Sequence, residues 1–338
     1  MSIIQENISL KPFNTFGVAV STSFFAEIFN ESDLNELLGE SIVKTQPLLV
    51  LGGGSNLLFT KDFEGLVIKV SIPGISFDVQ GNDVMVTAGA GVVWNDLVNY
   101  CVNNGFAGIE NLSLIPGTVG ASPIQNIGAY GVELKDVFHS CTAREIATAN
   151  ERVFKFEDCG FGYRDSIFKN ELKGQYIITS VSFKLSKQAK LNTQYGAIQA
   201  ELQNRKIDHP TISDISRVVA DIRVSKLPDP STIGNAGSFF KNPVIEQESF
   251  EAVYTKFPEL VHYPAPGGKV KLAAGWLIEQ CGFKGKVVGH TGTWKNQALV
   301  LVNHGSATGQ EVYSFSEEII NTVYNKFGVA LEREVNIL

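Results

Sequence analysis

Pro116-Gly117-Thr118-Val119-Gly120-Ala121-Ser122-Pro123-Ile124-Gln125-Asn126-Ile127-Gly128-Ala129-Tyr130-Gly131 is the stretch on which the reading of this chain turns. It closes a longer segment, from Gly105, that is rich in Gly, Pro, Asn and Ser yet carries Ile109, Leu112, Leu114, Ile115, Val119, Ile124 and Ile127. Loops of such length without a function are uncommon in compact domains. Glycine at 117, 120, 128 and 131 lets backbone N–H groups approach a ligand and adopt positive φ. Nests of that kind bind pyrophosphate without a cationic side chain. The apolar residues between them can pack the loop onto the rings of a cofactor. A purely structural glycine-rich loop is the bland alternative.

The flanks read as an α+β mixture. Ser32-Asp33 can cap a helix whose Leu34, Leu37 and Leu38 share one face. Leu48-Leu49-Val50-Leu51 is a short apolar run expected to form a buried strand, ending in Gly52-Gly53-Gly54-Ser55-Asn56, and Leu66 to Val70 predicts the next strand. Phe77, Val79, a Gly81-Asn82 turn, Val84 and Val86 predict a hairpin with one buried face. A helix follows at Trp94 to Val102, then strands around Ser140 to Phe156 and Tyr176 to Leu185. Further helices are expected at Ile212 to Val224, Ala273 to Cys281 and Gly309 to about Lys326. A strand at Ala298 to Val302 and a closing strand to Ile337 complete the chain. Pro228 and Pro230 mark a hinge or boundary. Hairpins with separate helices argue for α+β layers rather than regular βαβ winding.

Composition narrows the function. Apolar types make up 44% of the 338 residues and charged types 19%, enough for real cores and far from disorder. The net charge of −7 offers no broad attraction for nucleic acid or anionic lipid, so an anionic ligand must meet a local positive cluster. No apolar run reaches the roughly 18 residues of a membrane span, and the start, Met1 to Asn7, has no leader pattern, so a cytoplasmic protein is expected. The four cysteines, with no CxxC, read as reduced buried thiols, and the five histidines show no metal spacing. There is no HExxH, GxSxG or GxxxxGK[ST]. Gly52-Gly53-Gly54 and Gly89-Ala90-Gly91 lack the third glycine of a dinucleotide fingerprint, and each alone reads as a tight turn.

The glycine-rich stretch is one of six blocks that occur in order along the chain. The others are Asn14-Thr15-Phe16-Gly17, Leu51-Gly52-Gly53-Gly54-Ser55-Asn56, Gly162-Tyr163-Arg164-Asp165-Ser166, Gly234 to Pro243 with Ser238 inside it, and Leu331-Glu332-Arg333-Glu334-Val335. Together they resemble the UDP-N-acetylenolpyruvoylglucosamine reductase (MurB) family. The resemblance implies an α+β fold: a two-part, PCMH-type (vanillyl-alcohol-oxidase-like) FAD-binding region, here residues 1–70 and 71–210, and a substrate domain at 211–338 whose last strand can return to the FAD region. It implies NADPH-dependent reduction of the enolpyruvyl ether of UDP-N-acetylglucosamine to UDP-N-acetylmuramate, in peptidoglycan synthesis. FAD, held without a covalent link, would lie on Leu51, Gly52, Gly53, Gly54, Ser55 and Asn56, and on Pro116, Gly117, Thr118, Gly120, Ala121, Ser122, Pro123, Gln125, Asn126, Ile127, Gly128 and Tyr130.

The chemistry of that reaction sets its own requirements. Hydride delivered to the vinyl carbon builds charge on the neighbouring carbon and its carboxylate, so the site needs a fixed cation and a proton donor. The resemblance assigns these roles to Arg164, a planar permanent charge suited to a carboxylate, to Glu334, sharing a proton on the enolate oxygen, and to Ser238, the donor to carbon. A neutral serine is a weak acid, so Lys226 or Lys241 would have to support it. Taken singly, Arg164 reads as a surface ion pair with Asp165, Ser238 as a turn or cap hydroxyl, and Glu334 as a solvated strand residue. Tyr163, Tyr195 (the family's tyrosine-loop subtype), Lys226, Asn242, Lys284 and Gln297 match positions that hold the nucleotide sugar. In one departure, Asn336 stands where the family pattern has a basic residue. An oxidase of the same fold, or a silent nucleotide-sugar or flavin-binding module, are the competing readings. A monomer is expected, with neither nucleic acid nor membrane as partner.

Overall fold

The computed structural model describes residues 4–338; Met1 to Ile3, where the reading for a leader begins, lie outside the described residues. The chain divides into two compact units. Among the described residues, one comprises residues 4–8, Thr22–Gly53 and Glu64–Arg223, and the other Ser9–Ser21, Gly54–Phe63 and Val224–Leu338.

The first unit is built on two sheets. In one, the strands run in the order Ile4–Ser9, Ser21–Ile28, Phe63–Val70, Leu48–Leu51, the last two parallel with Leu48 opposite Leu66. The helix Glu31–Gly39 lays Leu34, Leu37 and Leu38 against Ile28, Leu66 and Ile68, all buried. Each such side chain contributes about 1.5–3 kcal/mol when fully buried. Its cap is Asn30 rather than Ser32-Asp33: the Asn30 Oδ1 accepts from the Asp33 N–H at 2.9 Å, and Asp33 accepts in turn from the Phe29 N–H. The cap lies before the expected position because it needs extended backbone, which Asn30 adopts (φ −157°) while residues 31 and 32 are already helical.

The second sheet of this unit is antiparallel, in the order Glu151–Lys155, Phe138–Glu145, Tyr176–Ser186, Asp83–Gly89, Ile75–Gln80. The expected hairpin is present, but its first strand is the sheet edge and Phe77 is exposed, packing sideways on Phe106 and Tyr100. Val84, Val86, Val181 and Phe183 bury their face under the helix Trp94–Asn103. Trp94 packs edge-on to Phe183 and donates its Nε1–H to the Leu112 carbonyl at 2.9 Å. That bond ties the helix to the entry of the glycine-rich loop.

The other unit centres on an antiparallel sheet in the order Gly234–Ser238, Gln297–Asn303, Thr291–Trp294, Val287–Val288. Ala274–Gln280 and the long helix Gly309–Phe327 supply Leu277, Ile278, Phe315, Ile319 and Val323 to its core, with Phe16, Phe239 and Phe240. The long helix starts in a Thr308–Glu311 capping box and ends at Gly328 in the left-handed region (φ 69°). Asn336–Ile337 runs parallel to Leu57–Leu58. Cys101, Cys141 and Cys159 are buried free thiols and Cys281 is half-buried.

Candidate active site

The glycine-rich loop is fastened from beneath. Gly120 N–H donates to the Ala90 carbonyl, Val119 N–H to Val92, and Trp94 N–H to the Gly117 carbonyl, all at 2.9–3.0 Å. Gly89-Ala90-Gly91 is therefore the bed of the loop as well as a turn, a role its glycine spacing alone does not reveal. The Gly52–Gly53 backbone closes on the same loop. A methyl on Gly53 would sit 2.8 Å from the Gly117 Cα, and one on Gly52 would sit 2.5 Å from the Thr118 Oγ1. Leu51 is buried at the strand end.

The four loop glycines differ in what they do. Gly117 and Gly131 take positive φ (115° and 81°) as expected. Gly120 and Gly128 do not, and are required by space: a Cβ would meet the Ala90 Cβ at 2.5 Å and the Glu133 Cγ at 3.0 Å. The left-handed positions fall instead on Asn126 (φ 44°) and Tyr130 (φ 51°). Their side-chain and backbone bonds hold them there. Asn126, fully buried, donates to the Gly162 carbonyl (2.9 Å) and accepts from the Lys135 N–H (3.0 Å). Ser122 donates to the Val119 carbonyl. Both residues shape the loop through their side chains. Among the described residues, the buried Thr118 Oγ1 has no hydrogen-bond partner. No acidic residue occurs from Pro116 to Gly131. A hydroxyl left over, two closely apposed glycine backbones and an absence of carboxylates fit the pyrophosphate of FAD.

Arg164 adjoins this loop. It sits in the left-handed region (φ 54°) within a turn closed by Gly162 and Asp165, and its Nη2 donates to the Gly128 carbonyl at 2.8 Å. Its guanidinium also lies 5.6 Å from the Tyr163 ring centroid. Tyr130 stands edge-on to Tyr195, 5.3 Å between centroids, and Tyr195 is exposed at the start of the helix Gly196–Asn204. Asn111 links the two segments, donating to the carbonyls of Tyr130 (3.2 Å) and Asn192 (2.9 Å). A residue not anticipated from the sequence joins them: Arg223, on the helix Ile212–Lys226, donates to the Leu114 carbonyl at 3.1 Å and to the Tyr130 phenol. Its only sequence signal was an arginine among apolar helix positions.

In the other unit the structure brings Ser238 and Glu334 onto adjoining backbone. The Glu334 N–H donates to the Phe239 carbonyl at 2.8 Å, and Phe240 bridges Arg333. Asn235 lies opposite Val302 and Ser238 opposite Val300, so the Ser238 strand carries one extra residue, with Gly237 at φ 67°. Such a bulge re-aims the side chain that follows it, and Ser238 is exposed. Asn56 donates to the Glu334 carbonyl (3.2 Å) and its own carbonyl accepts from the Asn336 side chain (2.9 Å) and N–H (3.1 Å). Asn336 thus braces Glu334 through Asn56. Gly54, also of this unit, takes φ 63° against the Phe13 carbonyl.

The remaining predicted residues are engaged to different degrees. Lys241 is ion-paired with Glu332, and Lys284 with Glu279 at 2.8 Å. Asn242 accepts from the Ala274 N–H at the start of the Ala274–Gln280 helix (3.0 Å). Gln297 turns its Oε1 toward Gly275 and accepts from the Leu299 N–H. Lys226 ends its helix, exposed. Arg164, Tyr163 and Tyr195 belong to one compact unit, and Ser238, Glu334, Lys226, Asn242, Lys284 and Gln297 to the other.

Comparison with known proteins gives the family and the fold. Residues 229–338 match the model described as UDP-N-acetylenolpyruvoylglucosamine reductase, C-terminal domain, and residues 23–157 match an FAD binding domain. UDP-N-acetylenolpyruvoylglucosamine reductases of Flavobacterium johnsoniae and Chromobacterium violaceum are each 50% identical over 99% of this chain, covering 99% and 98% of their own. The crystal structure of UDP-N-acetylenolpyruvylglucosamine reductase (MurB) from Thermus caldophilus superposes with a TM-score of 0.68 over 99% of both chains; at 24% identity it shows the fold. With a glycine cradle suited to a flavin dinucleotide and relatives matched end to end, the chain belongs to the UDP-N-acetylenolpyruvoylglucosamine reductase family, an α+β protein with a PCMH-type FAD-binding region and a C-terminal domain.

Proposed function

We propose that this chain catalyses the NADPH-dependent reduction of UDP-N-acetylglucosamine enolpyruvate to UDP-N-acetylmuramate, an early step of peptidoglycan synthesis, with Arg164, Ser238 and Glu334 as its catalytic residues. The observation that carries the reading is Arg164, a permanent cation held by the Gly128 carbonyl at the end of a loop shaped for FAD. When bound, FAD supplies the hydride, which NADPH replenishes. The Gly52–Gly53 and Gly117–Thr118 backbones hold the cofactor's pyrophosphate, with the Thr118 hydroxyl as a donor. The FAD-binding region would lie within residues 1–210 and the substrate domain within 211–338, although Ser9–Ser21 and Gly54–Phe63 fold with the C-terminal part and the first unit runs on to Arg223.

The chain's own residues then manage charge and protons. Arg164 holds the enolpyruvyl carboxylate and neutralises the charge that grows on it as the vinyl carbon accepts hydride; one preorganised donor of this sort lowers a barrier by about 3–4 kcal/mol. Glu334 shares a proton with the enolate oxygen, and its fixed backbone keeps the carboxyl in register. Ser238 donates its hydroxyl proton to the carbon beside the carboxylate. Because Lys241 is paired with Glu332, we assign support of the resulting alkoxide to Lys226. The carbon–carbon double bond gains one hydride and one proton, and NADPH becomes NADP⁺.

Tyr163, Tyr195, Lys226, Asn242, Lys284 and Gln297 bind the nucleotide sugar. The Lys284–Glu279 pair is an exposed one, worth at most about 1 kcal/mol, so a diphosphate can displace the carboxylate cheaply. The enzyme works as a monomer in the cytoplasm; no helix among the described residues is long and apolar enough to cross a membrane. Anaerobic spectroscopy tests the whole reading. NADPH should bleach the flavin band, and the enolpyruvyl substrate should restore it without oxygen. Restoration by oxygen alone would point instead to the oxidase.

A further inference from the structure

The turn that carries Arg164 is fastened to the glycine-rich loop at three points, and a lysine from the next turn reaches back to hold it. Asn126 donates to the Gly162 carbonyl at 2.9 Å, the Ser166 hydroxyl to the Ile124 carbonyl at 2.6 Å, and Arg164 Nη2 to the Gly128 carbonyl at 2.8 Å. Beyond Ser166 the chain bends at once: the Lys169 N–H donates to the Ser166 carbonyl and the Phe168 N–H to the Ser166 hydroxyl. Phe168 is buried edge-on to Phe154, 4.9 Å between centroids, which anchors this second turn in the core. Lys169 is thereby carried back toward Arg164, and its Nζ donates to the Arg164 carbonyl at 3.1 Å. Arg164 stands at φ 54°, a conformation that side chains other than glycine disfavour. An ammonium makes the stronger, charge-assisted kind of hydrogen bond. It fixes the peptide that follows Arg164 and so opposes the backbone rotation by which that residue would leave the left-handed region.

We propose that Lys169 is a positioning residue for the reduction: by holding the Arg164 carbonyl it fixes the left-handed turn and with it the direction in which the Arg164 side chain leaves the backbone. The idea rests on the proposed role of Arg164 and adds to it the side chain that sets its aim. Lys169 acts through the Arg164 backbone, and neither substrate nor cofactor needs to touch it. Its loss would therefore harm the chemical step, where a small misplacement is costly, more than the binding of the nucleotide sugar, which many other contacts share.

Two measurements on the full-length protein test it. Amide hydrogen exchange reads the turn without reference to any reaction. Lys169→Met should speed exchange about tenfold or more at Gly162 and Asp165, whose N–H groups close the turn at 3.0 and 3.4 Å, and leave the strand Tyr176–Ser186 as in the wild type. Stopped-flow spectra of the FAD-loaded enzyme read the consequence. Reoxidation by the enolpyruvyl substrate should slow about tenfold to a hundredfold, with the half-saturating substrate concentration within about threefold and flavin reduction by NADPH unchanged. Lys169→Arg keeps a charged donor and should restore most of the rate. In an Arg164→Lys background, Lys169→Met should cost less than about twofold more, because the two residues act as one unit. Unchanged exchange at the turn, loosened exchange with reoxidation intact, equal slowing of both half-reactions, a loss that arginine does not rescue, or multiplicative losses in the double variant would each overturn the proposal. If Lys169→Met does not fold, Lys169→Gln, a shorter and neutral donor, is compared with Lys169→Arg by the same ratios. A wild-type enzyme whose flavin the enolpyruvyl substrate cannot reoxidise would defeat the underlying reaction, and the proposal with it, before any variant is compared.

Discussion

At the scale of single residues, the loop and the turn that meets it store their strain where the chemistry is proposed. Asn126, Tyr130 and Arg164 all occupy the left-handed region that side chains other than glycine avoid. Each is held by a bond that a relaxed backbone would lose. Ser238→Ala should leave flavin reduction by NADPH nearly intact and slow reoxidation by substrate by orders of magnitude; stopped-flow spectra of the two half-reactions check this, and equal losses in both would remove Ser238 as the proton donor. Thr118→Val gives a prediction with opposite signs. Removing a buried hydroxyl that has no protein partner should leave the flavin-free protein as stable or more so. FAD affinity should fall about tenfold, measured by flavin fluorescence on titration. Arg164, Ser238 and Glu334 are proposed from sequence because each lies inside an ordered block that resembles the family's. Arg223 was not legible there, because an arginine on an amphipathic helix looks the same in sequence whether it faces water or a loop carbonyl.

At the scale of elements, the glycines separate into those that bend the chain and those that let two chains touch. Gly53→Ala puts a methyl 2.8 Å from a backbone Cα that cannot step aside, whereas Gly52→Ala meets the Thr118 hydroxyl, which can rotate. Gly53→Ala should therefore destabilise by about 1–3 kcal/mol and lose flavin, with Gly52→Ala milder in melting temperature. The reverse order would show that the cradle is not built as described. The long C-terminal helix offers a pH test. Hydrogen bonds from the Thr308 N–H and hydroxyl hold the Glu311 carboxyl below its ordinary value. A carboxyl lowered in the folded state contributes stability that is complete above its unfolded value and disappears as pH falls through the lowered one. Glu311→Gln should flatten that acid limb in melting temperatures taken from neutral pH downward. In the second unit the helices Ala274–Gln280 and Gly309–Phe327 and the strand Gln297–Asn303 were readable from apolar period, whereas the strands Gly234–Ser238, Val287–Val288 and Thr291–Trp294 were not. The exposure of Phe77 was not, since alternation marks two faces and does not say that a strand lies at the edge.

At the scale of the whole molecule, the units do not follow the chain's linear order: Ser9–Ser21 and Gly54–Phe63 fold with the C-terminal part. Asn235 donates to the Thr15 carbonyl and Asn303 to that of Phe16, while Asn56 braces Glu334. The Asn14 to Gly17 block and the Gly54 to Asn56 end of the next block thus serve the C-terminal part. FAD should stabilise by mass action: at a hundredfold excess over its dissociation constant it adds about 2.7 kcal/mol, seen as a higher melting temperature of the loaded protein than of the flavin-free one. An unchanged melting temperature would count against FAD as the resident cofactor. The sequence by itself carried the class of fold and the cofactor loop, because apolar period and glycine spacing report on each residue's own backbone and face, and its ordered blocks carried the family. Only the tertiary structure decided that Gly53 touches Gly117, that Asn56 holds Glu334 and that Arg223 stands beside Arg164. Those are pairings between residues far apart in the chain, and a contact depends on where both partners are carried, which neither one's local pattern encodes.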